Sequence, residues 1–128
     1  MMEQRDPKTG KEHREFFNID LSAGWETIAP GIEAKTLAGS LDEAAGKGHH
    51  NRLARWAPNA ELDAVRVHDF YEEVFVVQGT FLVASQEAPH RFEAFHVPAF
   101  ACRPPRAKHG PFKAGPEGCL LFETSFFY

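Results

Sequence analysis

Four side chains of this sequence have the types and the spacing for chemistry at one point: Arg66, His68 and Glu72 in the stretch RVHDFYEEVFVVQG, and His109 in the distant segment RPPRAKHGPF. Side chains of an extended segment alternate between faces, so Arg66 and His68 share one face. A short corner at Asp69 to Tyr71 then lets Glu72 open the next strand beside them. A guanidinium, an imidazole and a carboxylate converge, which suggests a site with a metal ion as one candidate occupant and leaves the substrate open.

The elements that must position these groups read as strands. EVFVV is β-branched and aromatic, and Gln78-Gly79 before TFLVAS reads as a tight hairpin turn with Gly79 at positive φ. Ile32 to Leu37 alternates as a strand, and Leu41 to Gly48, with two glycines, reads as a loop. His49 to Ala57 is a strand that offers either His50, Arg52, Ala54 and Trp56 or His49, Asn51, Leu53 and Arg55 to an interior. Ala57 to Ala60 is a turn delivering the chain into an extended Ala64 to His68. Further strands are expected from near Phe16, at Phe92 to Val97, at Phe100 to Arg103 and at Gly118 to Phe127, with a loop at Gln86 to His90 and a rigid corner at Pro104 to Lys108. Short strands at this spacing, with Gly and Pro between them and no helical period, predict an all-β sandwich or barrel. No internal repeat is visible, so one barrel is expected over residues 15–128, preceded by a flexible, charged arm over 1–14.

A chain of 128 residues suffices for a single core, and 43% hydrophobic with 25% charged residues is ordinary for a soluble domain. A net charge of -4 gives no basic stripe for nucleic acid and no polybasic signal for a membrane surface. The polar beginning MMEQRDPKTGKEHREF and the lack of a long apolar run set the expectation of a cytoplasmic protein. Cys102 and Cys119 are too few for a disulfide framework and read as free thiols. The apolar, aromatic ending LLFETSFFY predicts a homodimer.

The spacing of the site residues resembles the cupin family. That family's first motif is a His-x-His pair, a Glu four residues after the second His and a Gly seven after the Glu; His68, Glu72 and Gly79 match, and Arg66 replaces the first His. In the second motif Pro104 and His109 match, while Arg106 stands in a Gly position, Pro98 in that of an earlier Gly and Lys113 in that of a closing Asn. The resemblance covers Arg66 to Lys113, and the phrasing HDFYEEVFVVQG with PPRAKHGPF is most similar to the small single-domain cupins that include acetylacetone-dioxygenase-like and ChrR-like proteins.

That resemblance implies a jelly-roll barrel able to hold one small ligand. It also implies a metal held by His68, Glu72 and His109: two imidazoles and a carboxylate leave positions open on Fe(II), the first expectation, and also suit Zn, Mn or Ni. His49, His50 or His96 could supply a further ligand. Against this stands a metal-free site, in which Arg66 pairs with Glu72. Arg66 could alternatively grip an anionic substrate group, with Arg106 and Lys108 on the rim, and Tyr71 brings the one polar tip of an aromatic set (Phe70, Phe75, Phe81, Phe95, Phe100, Phe112) that is otherwise core or cage. Two functions follow: a mononuclear metal dioxygenase acting on a β-dicarbonyl-like compound, with Arg66 and Tyr71 as further catalytic candidates, or a non-catalytic small-molecule or metal-sensing cupin.

Overall fold

The computed structural model describes residues 5–85, 87, 88 and 90–128, and among them every regular element is a β-strand. The strands are β1 (Glu26–Ala29), β2 (Ile32–Asp42), β3 (Lys47–Trp56), β4 (Glu61–Leu62), β5 (Tyr71–Ala84), β6 (Phe92–His96), β7 (Ala99–Arg103) and β8 (Phe112–Phe126). They pair antiparallel in the order β1-β2-β3-β8-β5-β6, with β4 on β8 and β7 on β5. The result is a jelly-roll barrel in which two long strands, β5 and β8, form the spine and the remaining strands wrap from both sides.

Register sorts the interior into layers, because residues opposite one another on neighbouring strands point to the same face. One layer joins His50, Ser125, Glu72 and Arg103 across β3, β8, β5 and β7. The next joins Arg52, Glu123, Val74 and Ala101, and the third joins Ala54, Leu121, Val76 and Ala99. The barrel is thus charged at one end and apolar at the other. At the apolar end Ile32, Trp56, Phe81, Phe112 and Leu121 pack together, and burying Ile32 or Leu121 contributes about 1.5–3 kcal/mol each. Of the two faces open for the strand at His49, the interior one carries His50, Arg52, Ala54 and Trp56.

The expected hairpin turn at Gln78-Gly79 is instead a point inside β5, where the ladder with β8 shifts register on either side of Gln78 and Gly79. Gly79 does take positive φ (79°), and a Cβ there would lie 2.2 Å from Gly118 O. Positive φ and close backbone approach serve a bulge as well as a turn, and the partner strand that decides between them is remote in sequence. The loop expected over Leu41 to Gly48 shrinks to a turn at Glu43 to Gly46 between long strands. Its Gly48 (φ 114°) serves backbone proximity, since a Cβ would sit 2.3 Å from Ser40 O.

No strand begins near Phe16, whose side chain is fully exposed; the first strand starts at Glu26. The extended segment before His68 makes a single bridge, Arg66 to His109, and β8 starts six residues earlier than its apolar ending suggested, at Phe112. The strands at Phe92 and Phe100 stand within a residue of expectation, and the loop over Gln86 to His90 falls in part on residues 86 and 89, outside the described ones.

Candidate metal centre

Three separate segments carry the site, and backbone hydrogen bonds lock them together. Arg66 N donates to His109 O at 2.7 Å and His109 N donates to Arg66 O at 3.0 Å, while Arg106 N donates to His68 O at 2.7 Å. His68 and His109 are therefore pinned from both sides, and Glu72 enters as the second residue of β5 with its side chain inward. Arg106 reaches its hydrogen bond at φ 71°, a left-handed conformation that Gly adopts more readily than Arg.

One ligand atom from each of His68, Glu72 and His109 lies within 4.8 Å of the others. The two imidazoles sit 4.9 Å apart between ring centroids at 47°, and His68 stacks on Phe70 at 4.4 Å. His109 Nδ1 lies 3.2 Å from Ala107 O, and since a carbonyl only accepts, Nδ1 carries the proton and Nε2 is left bare. That bare Nε2 faces Glu72 Oε1 at 3.8 Å. Burial, reinforced by Arg103, holds the His109 pKa below its ordinary value and so favours the neutral, ligating form.

The donor set fits a divalent metal: two imidazoles, one with its tautomer set by a backbone carbonyl, and one carboxylate, leaving coordination positions open. His49, His50 and His96 stand outside this group. His49 lies on the outer face against Phe126, His96 Nδ1 meets Thr80 Oγ1 at 3.1 Å on the surface, and His50 lies inward beside Ser125, held down to about 4 by burial and then by Arg52.

Glu72 has a cationic partner, but that partner is Arg103, not Arg66: Arg103 Nη1 approaches Glu72 Oε1 at 2.7 Å, with both side chains largely buried. In the adjoining layer Arg52 Nε meets Glu123 Oε1 at 2.6 Å. Burial pushes the Glu123 carboxyl above its ordinary value against the pull of Arg52. Arg103 and Glu123 escaped the sequence reading, which offered Arg52 to an interior on one of two faces but gave it no partner. The available signal was a carboxylate at an inward position of the otherwise apolar run LLFETSF, which requires a buried cation.

These groups line a cavity of about 230 Å³, whose apolar wall includes Ile32, Trp56, Phe81, Phe112 and Leu121 and whose rim includes Arg66. Of the expected aromatic set, Phe81 and Phe112 reach the cavity, Phe70 is buried behind His68, and Phe75, Phe95 and Phe100 are exposed. Tyr71 lies on the face of β5 opposite Glu72, stacked on Phe126 at 5.1 Å, and does not line the cavity. Arg106 pairs with Asp69 at 3.1 Å in solvent, and Lys108 is exposed.

A jelly-roll barrel with His68, Glu72 and His109 gathered at its charged end is a cupin. More narrowly, the model of the ChrR cupin-like domain matches residues 14–125, and the chain belongs to that family. No curated protein matches it. Among solved structures, an RmlC-like cupin from Shewanella frigidimarina is 20% identical over 90% of this chain and 93% of its own, with a TM-score of 0.64. An acetylacetone dioxygenase from Acinetobacter johnsonii is 16% identical over 90% of this chain and 74% of its own, with a TM-score of 0.65. A structure of Rhodobacter sphaeroides SigE in complex with the anti-sigma ChrR matches at 15% identity over 82% of this chain and 50% of that one, with a TM-score of 0.62. At these identities the likeness is one of fold.

Proposed function

We propose that this protein is a small-molecule cupin whose His68, Glu72 and His109 hold one divalent metal, Fe(II) by preference, and which oxidises a small β-dicarbonyl-like compound with dioxygen. The observation that carries the reading is the opening of the two-imidazole, one-carboxylate set into a cavity whose opposite wall is apolar. Bound there, Fe(II) supplies Lewis acidity toward substrate oxygens and the redox chemistry that dioxygen requires. The chain's own residues do the rest. Ala107 O holds the His109 tautomer, Arg103 orients Glu72, and Ile32, Phe81 and Leu121 keep water from the substrate's apolar body. The shared fold with an acetylacetone dioxygenase supports this choice of substrate class.

A second reading, a non-catalytic small-molecule- or metal-sensing barrel with a degenerate metal site, is favoured by one specific observation: Glu72 is already engaged by Arg103, and that contact weakens it as a metal donor. Oxygen uptake separates the two. Fe(II)-loaded protein supplied with pentane-2,4-dione in an oxygen electrode consumes dioxygen on the enzymatic reading and loses that uptake in His109→Ala. An Fe(II)-loaded protein that takes up no oxygen with any of a panel of β-dicarbonyls supports the sensor.

A further inference from the structure

The cavity wall is not charge-balanced. Three guanidiniums, of Arg52, Arg66 and Arg103, face two carboxylates, of Glu72 and Glu123. Both carboxylates are taken: Glu123 by Arg52 at 2.6 Å and Glu72 by Arg103 at 2.7 Å. Among the described residues Arg66 has no ion pair, although its backbone is held rigidly by the two hydrogen bonds to His109. Counting guanidiniums and carboxylates alone, the wall carries one net positive charge, and it sits at the rim while the opposite end is apolar. A cation left over at the edge of an apolar cavity is complementary to an amphiphilic anion.

We propose that Arg66 is a binding residue for the carboxylate of a small organic acid, whose apolar body enters the cavity toward Ile32, Phe81 and Leu121. This rests on the reading of the cavity as a small-molecule site and deepens it, naming the ligand as a β-dicarbonyl-like compound that also carries a carboxylate. A cavity of about 230 Å³ lies below the roughly 300–1,000 Å³ of drug-sized sites, so the acid is small. The guanidinium supplies two parallel N–H donors, matching a carboxylate's two oxygens, and an amide of the same shape offers only one acceptor. Arg66 thereby fills the position of a family His with a group that recognises ligand instead of metal.

The test needs no metal, so its failure and that of the metal reading remain distinguishable. Chelator-treated protein is titrated calorimetrically with benzoate and with benzamide, its neutral isostere. The expected result is benzoate binding at least about tenfold tighter than benzamide, with Arg66→Gln erasing the preference and Arg66→Lys restoring part of it. Circular dichroism confirms folding of each variant, which the exposed position of the Arg66 side chain favours. Equal affinities for acid and amide, a preference that survives Arg66→Gln, or no binding of either compound at millimolar concentration would overturn the assignment.

Discussion

Glu72 Oε1 stands 2.7 Å from Arg103 Nη1 on β7 and 3.8 Å from His109 Nε2 before β8, so one carboxylate oxygen faces both a fixed cation and the bare nitrogen of a candidate metal ligand. A metal ion and Arg103 therefore compete for the same atom. Replacing Arg103 by Met has two opposed consequences. The metal-free protein loses about 3 kcal/mol in urea melts, because Glu72 becomes a buried and uncompensated charge. Divalent-metal affinity rises about tenfold or more in calorimetric titration, because the ion no longer contends with a guanidinium. A variant with unchanged metal affinity would show that Arg103 only orients Glu72.

Arg106 carries strain that a smaller residue relieves. At φ 71° a non-Gly residue costs about 1–2 kcal/mol, while its ion pair to Asp69 lies in solvent and contributes little. Arg106→Gly is expected to raise the stability by about 0.5–1 kcal/mol, with Arg106→Val lowering it; thermal melts of the two variants check the order. The reverse order would mean that the corner is held by contacts of the Arg106 side chain.

His50 makes stability depend on pH. Its folded pKa lies near 4 against an ordinary 6.5, so the unfolded chain binds the extra proton between those values. The stabilisation that goes with the neutral ring is fully present above about pH 6.5 and is lost as pH falls toward 4. The ring is only half-buried, and after discounting for solvent the effect is about 1–2 kcal/mol. His50→Gln should flatten that part of the stability profile relative to the parent, as read by denaturant midpoints at each pH. Parallel profiles would place the pH dependence on other groups.

The apolar ending of the chain does not lie wholly on the surface, and the exposed apolar face is found elsewhere, on the outside of the spine. Leu121, Glu123 and Ser125 turn inward, and the exposed apolar surface is built across strands: Phe75 lies opposite Phe100 and Phe122, with Phe100 64% and Phe75 41% exposed. We propose that a second copy covers this face. Light scattering is expected to give twice 14.4 kDa for the parent and a single copy for Phe100→Glu. A parent of one copy at micromolar concentration would refute it.

That His68 and Glu72 lie together was legible because residue type and spacing are written locally, whereas His109 was joined to them by the resemblance to the cupin motifs; the strands β3, β6 and β7 were legible from local pattern. The partners that set the site's electrostatics were not. Arg103 meets Glu72 only because β7 lies beside β5, and Glu123 meets Arg52 only because β8 inserts between β3 and β5. Such pairings belong to topology rather than to any short stretch. Gly79 failed in the same way: its positive φ was readable, and whether it turned the chain or bulged it depended on β8, more than thirty residues away.

We propose that His68, Glu72 and His109 form one metal site. The most direct measurement is titration of chelator-treated protein with Co(II), followed by visible absorption. One equivalent is expected to bind, with a ligand-field spectrum that disappears in His109→Ala and weakens strongly in Glu72→Gln. A parent protein that binds no Co(II), or variants that bind it as the parent does, would rule out a metal site at these three residues.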